Sequence, residues 1–223
     1  MKKSKSMKYT YPLRFSEEVG NSISHGVMGL LLLFTLPYYS IYAYLKGGPK
    51  FATGIAIYFI CLIFMFMVSC LYHAMKHESM HKYVFRKLDH IMILLAIAGT
   101  YTPICLTLMD DFTGIIILVI EWIMVLFGIL LKSIAKNSHP ILSMVIYMVM
   151  GWLAIFGNSC IDSKKCSPIF LGLIIAGGVL YTIGVFFYSK PQKYMFHFTW
   201  HIFNCSCIDL SFNRNLIFHD LIY

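Results

Sequence analysis

The stretch TGIIILVIEWIMVLFGILLK at residues 113–132 decides the fold of this chain. Its interior holds a single charged residue, Glu121, among aliphatic and aromatic side chains. A helix needs about 20 mainly apolar residues to cross the hydrocarbon core of a bilayer. The stretch therefore predicts a membrane-spanning helix.

Six further apolar stretches are separated from it and from one another by short polar loops. The seven predicted spans are residues 21–45, 52–75, 88–109, 113–132, 140–160, 168–188 and 194–213. No small-residue cleavage site follows the first apolar run, so we expect it to remain as a helix rather than to be removed as a signal peptide. The sequence predicts an all-α, polytopic seven-transmembrane helix bundle. One membrane domain covers residues 16–213, and a basic cytoplasmic tail covers residues 1–15.

The composition agrees with this fold class. Of the 223 residues, 59% are hydrophobic and 13% are charged, whereas a soluble domain is about 45–50% apolar and about 25% charged. The net charge of +8 does not indicate nucleic-acid binding, because the basic residues lie in short loops and form no basic face of a soluble fold. We therefore predict membrane lipids, and no nucleic acid, as partners.

Lysine and arginine are distributed unequally between the two ends of the predicted spans. With the N-terminus inside, 13 of the 18 basic residues fall on the inner side and 5 on the outer side. Positive charge accumulates in cytoplasmic loops, so we predict a cytoplasmic N-terminus and a C-terminus outside. Four basic residues of the first inner loop are expected to contact anionic lipid head groups, namely Lys76, Lys82, Arg86 and Lys87.

Three histidines are predicted to lie at one depth in the cytoplasmic half of the bundle. His197 and His201 are one helical turn apart, so their rings share one helix face. His73 lies near the inner end of the second span. Two histidines four residues apart are weak evidence alone, but unpaired ionisable groups from several helices would be costly there. Three protein ligands with a fourth position for water suit catalytic zinc.

Two further side chains are predicted beside this site. Asp89 could accept a proton from the bound water as a general base, or it could orient a histidine. Ser69 lies one turn from His73 and could hydrogen-bond the same water. Polar residues of the first span reach the same face, but the sequence assigns them no role: Glu17, Glu18, Asn21 and His25.

Four short motifs of this chain occur together in one protein family. They are EEVGNSISHG at 17–26, SCLYH at 69–73, LDH at 88–90 and HFTWH at 197–201. They resemble motifs of the hemolysin III proteins, the bacterial branch of the progestin and adiponectin receptor family. The resemblance extends from residue 14 to about residue 203.

This resemblance implies a fold, a location and a chemistry. It implies seven helices in the bacterial cell membrane, with the N-terminus inside. It implies a zinc ion held by the histidines that match His73, His197 and His201, with Asp89 and Ser69 near the bound water. Because the wider superfamily includes the alkaline ceramidases, the implied reaction is metal-assisted hydrolysis of a lipid amide.

The segment after Phe203 departs from the family pattern. The family continues there with an apolar helix, whereas residues 204–223 read NCSCIDLSFNRNLIFHDLIY. Asp209 and Arg214 would each cost about 2.5–3.5 kcal/mol at the middle of a span. We interpret this atypical polar segment as the product of a reading-frame change near codon 204. Glu121 is interpreted as a protonated acid hydrogen-bonded between helices rather than as a proton or substrate site.

Three functions remain open from the sequence. The first is a zinc-dependent hydrolase acting on a membrane lipid amide or ester, which a bound water beside Asp89 favours. The second is a receptor or regulator of membrane lipid state with structural zinc. The third is a cytolytic channel, which would need a continuous polar stripe that the sequence lacks. We therefore predict the hydrolase.

Overall fold

The described part of the chain consists almost entirely of helices. In this computed structural model it comprises residues 12–77, 79–107, 109, 112–134, 140–153, 168–190 and 193–204, and no strand occurs among them. The helices are α1 (Phe15–Ala74), α2 (Met80–Thr107), α3 (Phe112–Ile134), α4 (Pro140–Trp152), α5 (Pro168–Tyr188) and α6 (196–204). The all-α prediction is confirmed.

Helix α1 is 60 residues long and is interrupted once. At Gly48 the backbone has φ 71° and ψ −167°, a conformation that glycine adopts far more readily than other residues. We call residues 15–47 α1a and residues 49–74 α1b. The chain reverses between them, since the hydroxyl of Ser22 on α1a donates to the carbonyl of Cys70 on α1b at 3.0 Å. The loop KGGPK at residues 46–50 therefore separates the first two predicted spans.

The outer surface of the helices is apolar. Helices α1, α2 and α3 are long and apolar enough to cross a membrane, and shorter apolar stretches occupy Ile141–Trp152 and Gly172–Tyr188. Large hydrophobic side chains point outward, including Phe34, Leu45 and Ile134, which are 77%, 76% and 75% exposed. Such an extended apolar surface is typical of contact with lipid rather than water. The chain is a membrane protein.

Small residues allow α1b and α2 to pack closely. A Cβ atom added at Gly54 would lie 2.7 Å from the Cα of Pro103, and one at Gly99 would lie 2.7 Å from the Cβ of Cys61. Glycine at a helix contact lets backbones approach in this way, and helix pairs in membranes use it widely. The packing holds the end of α1b, which carries His73, against the beginning of α2.

Two sequence expectations need correction in the loop between the second and third predicted spans. The loop predicted at residues 76–87 is shorter, because α2 already begins at Met80. Lys82 is also wrongly predicted as a lipid contact, since it is 1% exposed. Its ammonium group turns inward because it pairs with the carboxylate of Glu18 at 2.5 Å.

Several predicted boundaries lie outside the described residues. Helix α4 is described to Trp152, so residues 154–160 of the fifth predicted span are not covered. The last predicted span is described only to Asn204. The N-terminal tail to residue 11 and the atypical segment beyond Asn204 also lie outside the described part.

Candidate metal centre

Three histidines from two distant parts of the chain converge beside the end of α1b. His73 lies in the last turn of α1b, and His197 and His201 lie one turn apart on α6. One ring nitrogen from each lies within 4.8 Å of the other two. Ligands about 2 Å from one zinc ion lie about 3–4 Å apart, so modest rotations of these rings would close the set. His73 and His201 are buried, and His197 is half-buried.

The hydrogen bonds of His73 leave one ring nitrogen for a metal. Its Nδ1 lies 2.7 Å from Oε2 of Glu18. An ionised carboxylate can only accept hydrogen bonds, so Nδ1 is the donor and Nε2 of the neutral ring carries the lone pair. That Nε2 atom is buried and has no hydrogen-bond partner among the described residues. A metal ion would satisfy it, so His73 fits the group that the sequence predicts.

His201 has a similar arrangement with a fourth histidine. Its Nδ1 lies 2.7 Å from Nε2 of His25, which is 2% exposed on α1a. With His201 as the donor, its own Nε2 keeps the lone pair that a metal requires. This Nε2 atom is also buried, and no residue in the described part of the chain bonds to it. The unpartnered nitrogens of His73 and His201 therefore fit one shared ion.

Asp89 and Ser69 lie next to His73. The half-buried carboxyl group of Asp89 interacts electrostatically with His73 and Arg86 and is in reach of the Ser69 hydroxyl. Ser69 is 2% exposed, and its Oγ forms no hydrogen bond of ordinary geometry with any described residue. The structure thus brings a carboxyl group and a hydroxyl group to the His73 side of the predicted ligand set.

The sequence analysis placed Glu18, His25 and Lys82 at the same end of the bundle as the three histidines. It assigned them no role at the site. Glu18 bonds His73 with one oxygen and Lys82 with the other, and His25 bonds His201. Their shared depth is readable from the sequence. Their pairing depends on the rotation and register of α1a against α1b, for which no sequence signal was available. The environment of Asn21 was equally unpredictable: the residue is fully buried, and its side-chain amide has no hydrogen-bond partner among the residues that the structure describes.

Two other ionisable groups of the membrane segments are not part of this cluster. His90 uses both ring nitrogens, with the carbonyl of Arg86 at 2.6 Å and the hydroxyl of Tyr188 at 2.8 Å. Glu121 is fully buried in α3, and neither carboxyl oxygen has a hydrogen-bond partner in the described part of the chain. The interhelical hydrogen bond expected for Glu121 is therefore not found; the helix turns on either side present Ile117 and Val125.

The chain is similar to known proteins over most of its length. The family model described as "Haemolysin-III related" matches residues 13–209. The chain is 32% identical over 187 residues to the Hemolysin-3 homolog of Bacillus subtilis (strain 168), covering 84% of this chain and 87% of that protein. It is 31% identical over 187 residues to Hemolysin-3 of Bacillus cereus, covering 84% of each. The family match spans the histidine cluster and Asp89.

Proposed function

The chain belongs to the haemolysin-III-related family, and from this premise we propose that it is a zinc-dependent hydrolase of a membrane lipid amide. One observation carries the proposal. His73, His197 and His201 meet in a largely buried place, where two of their ring nitrogens lack partners within the part of the chain that the structure describes. Three neutral histidines form the ligand set of a zinc ion that keeps one position open.

Each residue near the cluster receives a role in the proposed reaction. When bound, zinc supplies a Lewis acid that makes a water molecule acidic near neutral pH. Asp89, which lies beside His73, would serve as the general base that takes up a proton. Ser69 would help to orient the attacking water through its hydroxyl group. The apolar outer surface of the helices would contact the acyl chains of the surrounding bilayer.

We also propose the full topology of seven spans, with the N-terminus cytoplasmic and the C-terminus outside. The unequal distribution of lysine and arginine and the reversal of the chain at Gly48 support it. The site then lies in the cytoplasmic half of a multi-pass plasma-membrane protein.

Reporter fusions test this topology. A fusion within residues 46–50 is expected to report the outer side, and a fusion within residues 76–79 the cytoplasm. The positive-inside rule is the physical reason. If the fusion at residues 76–79 reports the outer side, the orientation is inverted and the site faces away from the cytoplasm.

The names of the relatives favour membrane lysis as a second candidate function. Both are called Hemolysin-3 or its homolog. A lytic channel needs polar side chains along the length of several helices. Among the described residues, most of the buried polar side chains instead gather around the histidines: Glu17, Asn21, His25, Ser69, His73, Lys82 and His201. This arrangement favours a localised site over a pore.

Turnover of defined lipids by the purified protein in nanodiscs separates these functions. We expect release of fatty acid from an N-acyl lipid, loss of release after chelation, and recovery after zinc is restored. Liposomes loaded with a dye serve as the comparison. If the protein is a hydrolase, we expect no dye to leak from them on the timescale of lipid turnover. If dye leaks from the liposomes to the same extent with and without chelator, and no lipid is cleaved, a lytic channel becomes the better explanation.

A further inference from the structure

The carboxylate of Glu18 joins three helical segments at the histidine cluster. Its Oε2 atom lies 2.7 Å from Nδ1 of His73 at the end of α1b. Its Oε1 atom accepts a hydrogen bond of 2.5 Å from the ammonium group of Lys82 in the first turn of α2. Because Glu18 belongs to α1a, one side chain connects α1a, α1b and α2 at the depth of the site.

The neighbouring carboxylate, Glu17, reaches the helix that carries the other two histidines. Its Oε1 atom accepts a hydrogen bond of 2.7 Å from the backbone amide of Met195, 178 positions further along the chain. Met195 begins the first turn of α6, since its carbonyl accepts the amide of Thr199 at 2.8 Å. The contact therefore fixes where α6 starts relative to α1a.

The backbone conformation of Met195 indicates that its contact with Glu17 has a structural role. Its backbone φ is 62°, in the left-handed region that residues other than glycine rarely adopt. Such a conformation persists where the surrounding contacts determine it. Glu17 supplies one of those contacts from a position that is 3% exposed. Removing its carboxylate would let the start of α6 relax, and His197 and His201 would move with it.

We propose that Glu17 and Glu18 are positioning residues of the metal centre, each fixing one side of the ligand set. Glu18 orients the ring of His73, and Glu17 places the helix that presents the remaining two histidines. The inference rests on the proposed metal centre and extends it to two residues that are not among its ligands.

The chemistry of Glu18 explains why a carboxylate is needed at that position. A carboxylate accepts the proton of Nδ1, holds the ring in one tautomer and raises the basicity of the opposite nitrogen. Lys82 engages the second oxygen and also donates to the carbonyl of Met75 at 3.1 Å. The ammonium group therefore restrains the carboxylate against rotation away from His73.

Zinc affinities of the full-length protein, measured by competition with a chromophoric chelator, test the proposal. Glu18→Gln removes the charge and leaves one oxygen for two donors, and Glu17→Ala removes the acceptor for Met195. Hydrogen-bond partners of ligating histidines typically contribute about 10–100-fold to metal affinity. We expect both variants to lose zinc affinity by that factor and to alter the visible spectrum of bound cobalt.

Matched variants separate positioning from general stability. Lys82→Met breaks the same ion pair but keeps the contact between Glu18 and His73, and Glu17→Gln keeps an oxygen acceptor for Met195. Lys82→Met is expected to lose less zinc affinity than Glu18→Gln, and Glu17→Gln is expected to bind zinc as the unmodified chain does. If Glu18→Gln does not fold, the double variant Glu18→Ala/Lys82→Met removes both buried charges together with the acceptor for His73, and it carries the same expected loss.

The possible outcomes distinguish this proposal from the proposed function. Unchanged affinity in Glu18→Gln and Glu17→Ala, or an equal loss in Lys82→Met, overturns the positioning roles and leaves the metal centre in place. An unmodified chain that binds neither zinc nor cobalt overturns the metal centre, and the positioning roles with it.

Discussion

Replacing His73, His197 or His201 by alanine is expected to reduce bound zinc from about one ion per chain to a small fraction of that. Residues that only support a ligand already contribute about 10–100-fold to affinity, so loss of a ligand should cost about 100-fold or more. Two remaining histidines hold an ion poorly in a site built for three. Metal analysis of each purified variant after dialysis against a weak chelator measures the loss.

His90→Ala is the matched control for this experiment. His90 is a histidine of α2 whose two ring nitrogens are already engaged by Arg86 and Tyr188. It should retain zinc if the convergent histidines are the ligands. Full zinc occupancy in all three alanine variants would show that the metal, if any, binds elsewhere.

Replacing Asp89 by asparagine is expected to leave zinc bound while lipid turnover falls by about 10²–10⁴-fold, the usual loss when a general base is removed. An amide has nearly the same shape as the carboxylate but cannot take the proton of water. Zinc content and turnover are measured on the same preparation, so a drop in rate at full occupancy identifies the base.

A second carboxyl group provides the comparison for Asp89. Glu121→Gln makes the same chemical change at a fully buried position of α3, away from the cluster. It should leave turnover close to that of the unmodified chain. If Asp89→Asn turns over lipid at the normal rate, Asp89 is not the base, and a receptor with structural zinc becomes the better explanation.

The grouping of the histidines could be predicted from the sequence because two simple rules apply to it. Helical periodicity places His197 and His201 on one face. The order of apolar stretches and charged loops places His73 at the same depth. Neither rule needs the packing of the helices, and the structure brings the three rings together.

The support around the histidines could not be predicted, because it depends on how the helices are rotated against each other. Glu17 and Glu18 are adjacent, yet one bonds Met195 and the other bonds His73 and Lys82. Lys82 looked like a loop residue, since charge clusters usually mark the ends of spans. Its inward pairing follows from α2 starting earlier than the apolar pattern indicates.

The hydrogen bond between Glu17 and the amide of Met195 can form only late in the synthesis of the protein. Synthesis proceeds from the N-terminus, so α1a enters the bilayer while its partner, 178 positions later, is still untranslated. In the same way, His25 lacks its hydrogen-bond partner until His201 has been synthesised. Until α6 arrives, polar groups of α1a lack these partners in a medium where unpartnered groups are unfavourable. A chain truncated before residue 195 is expected to keep that defect, because it never acquires the amide of Met195 or the ring of His201.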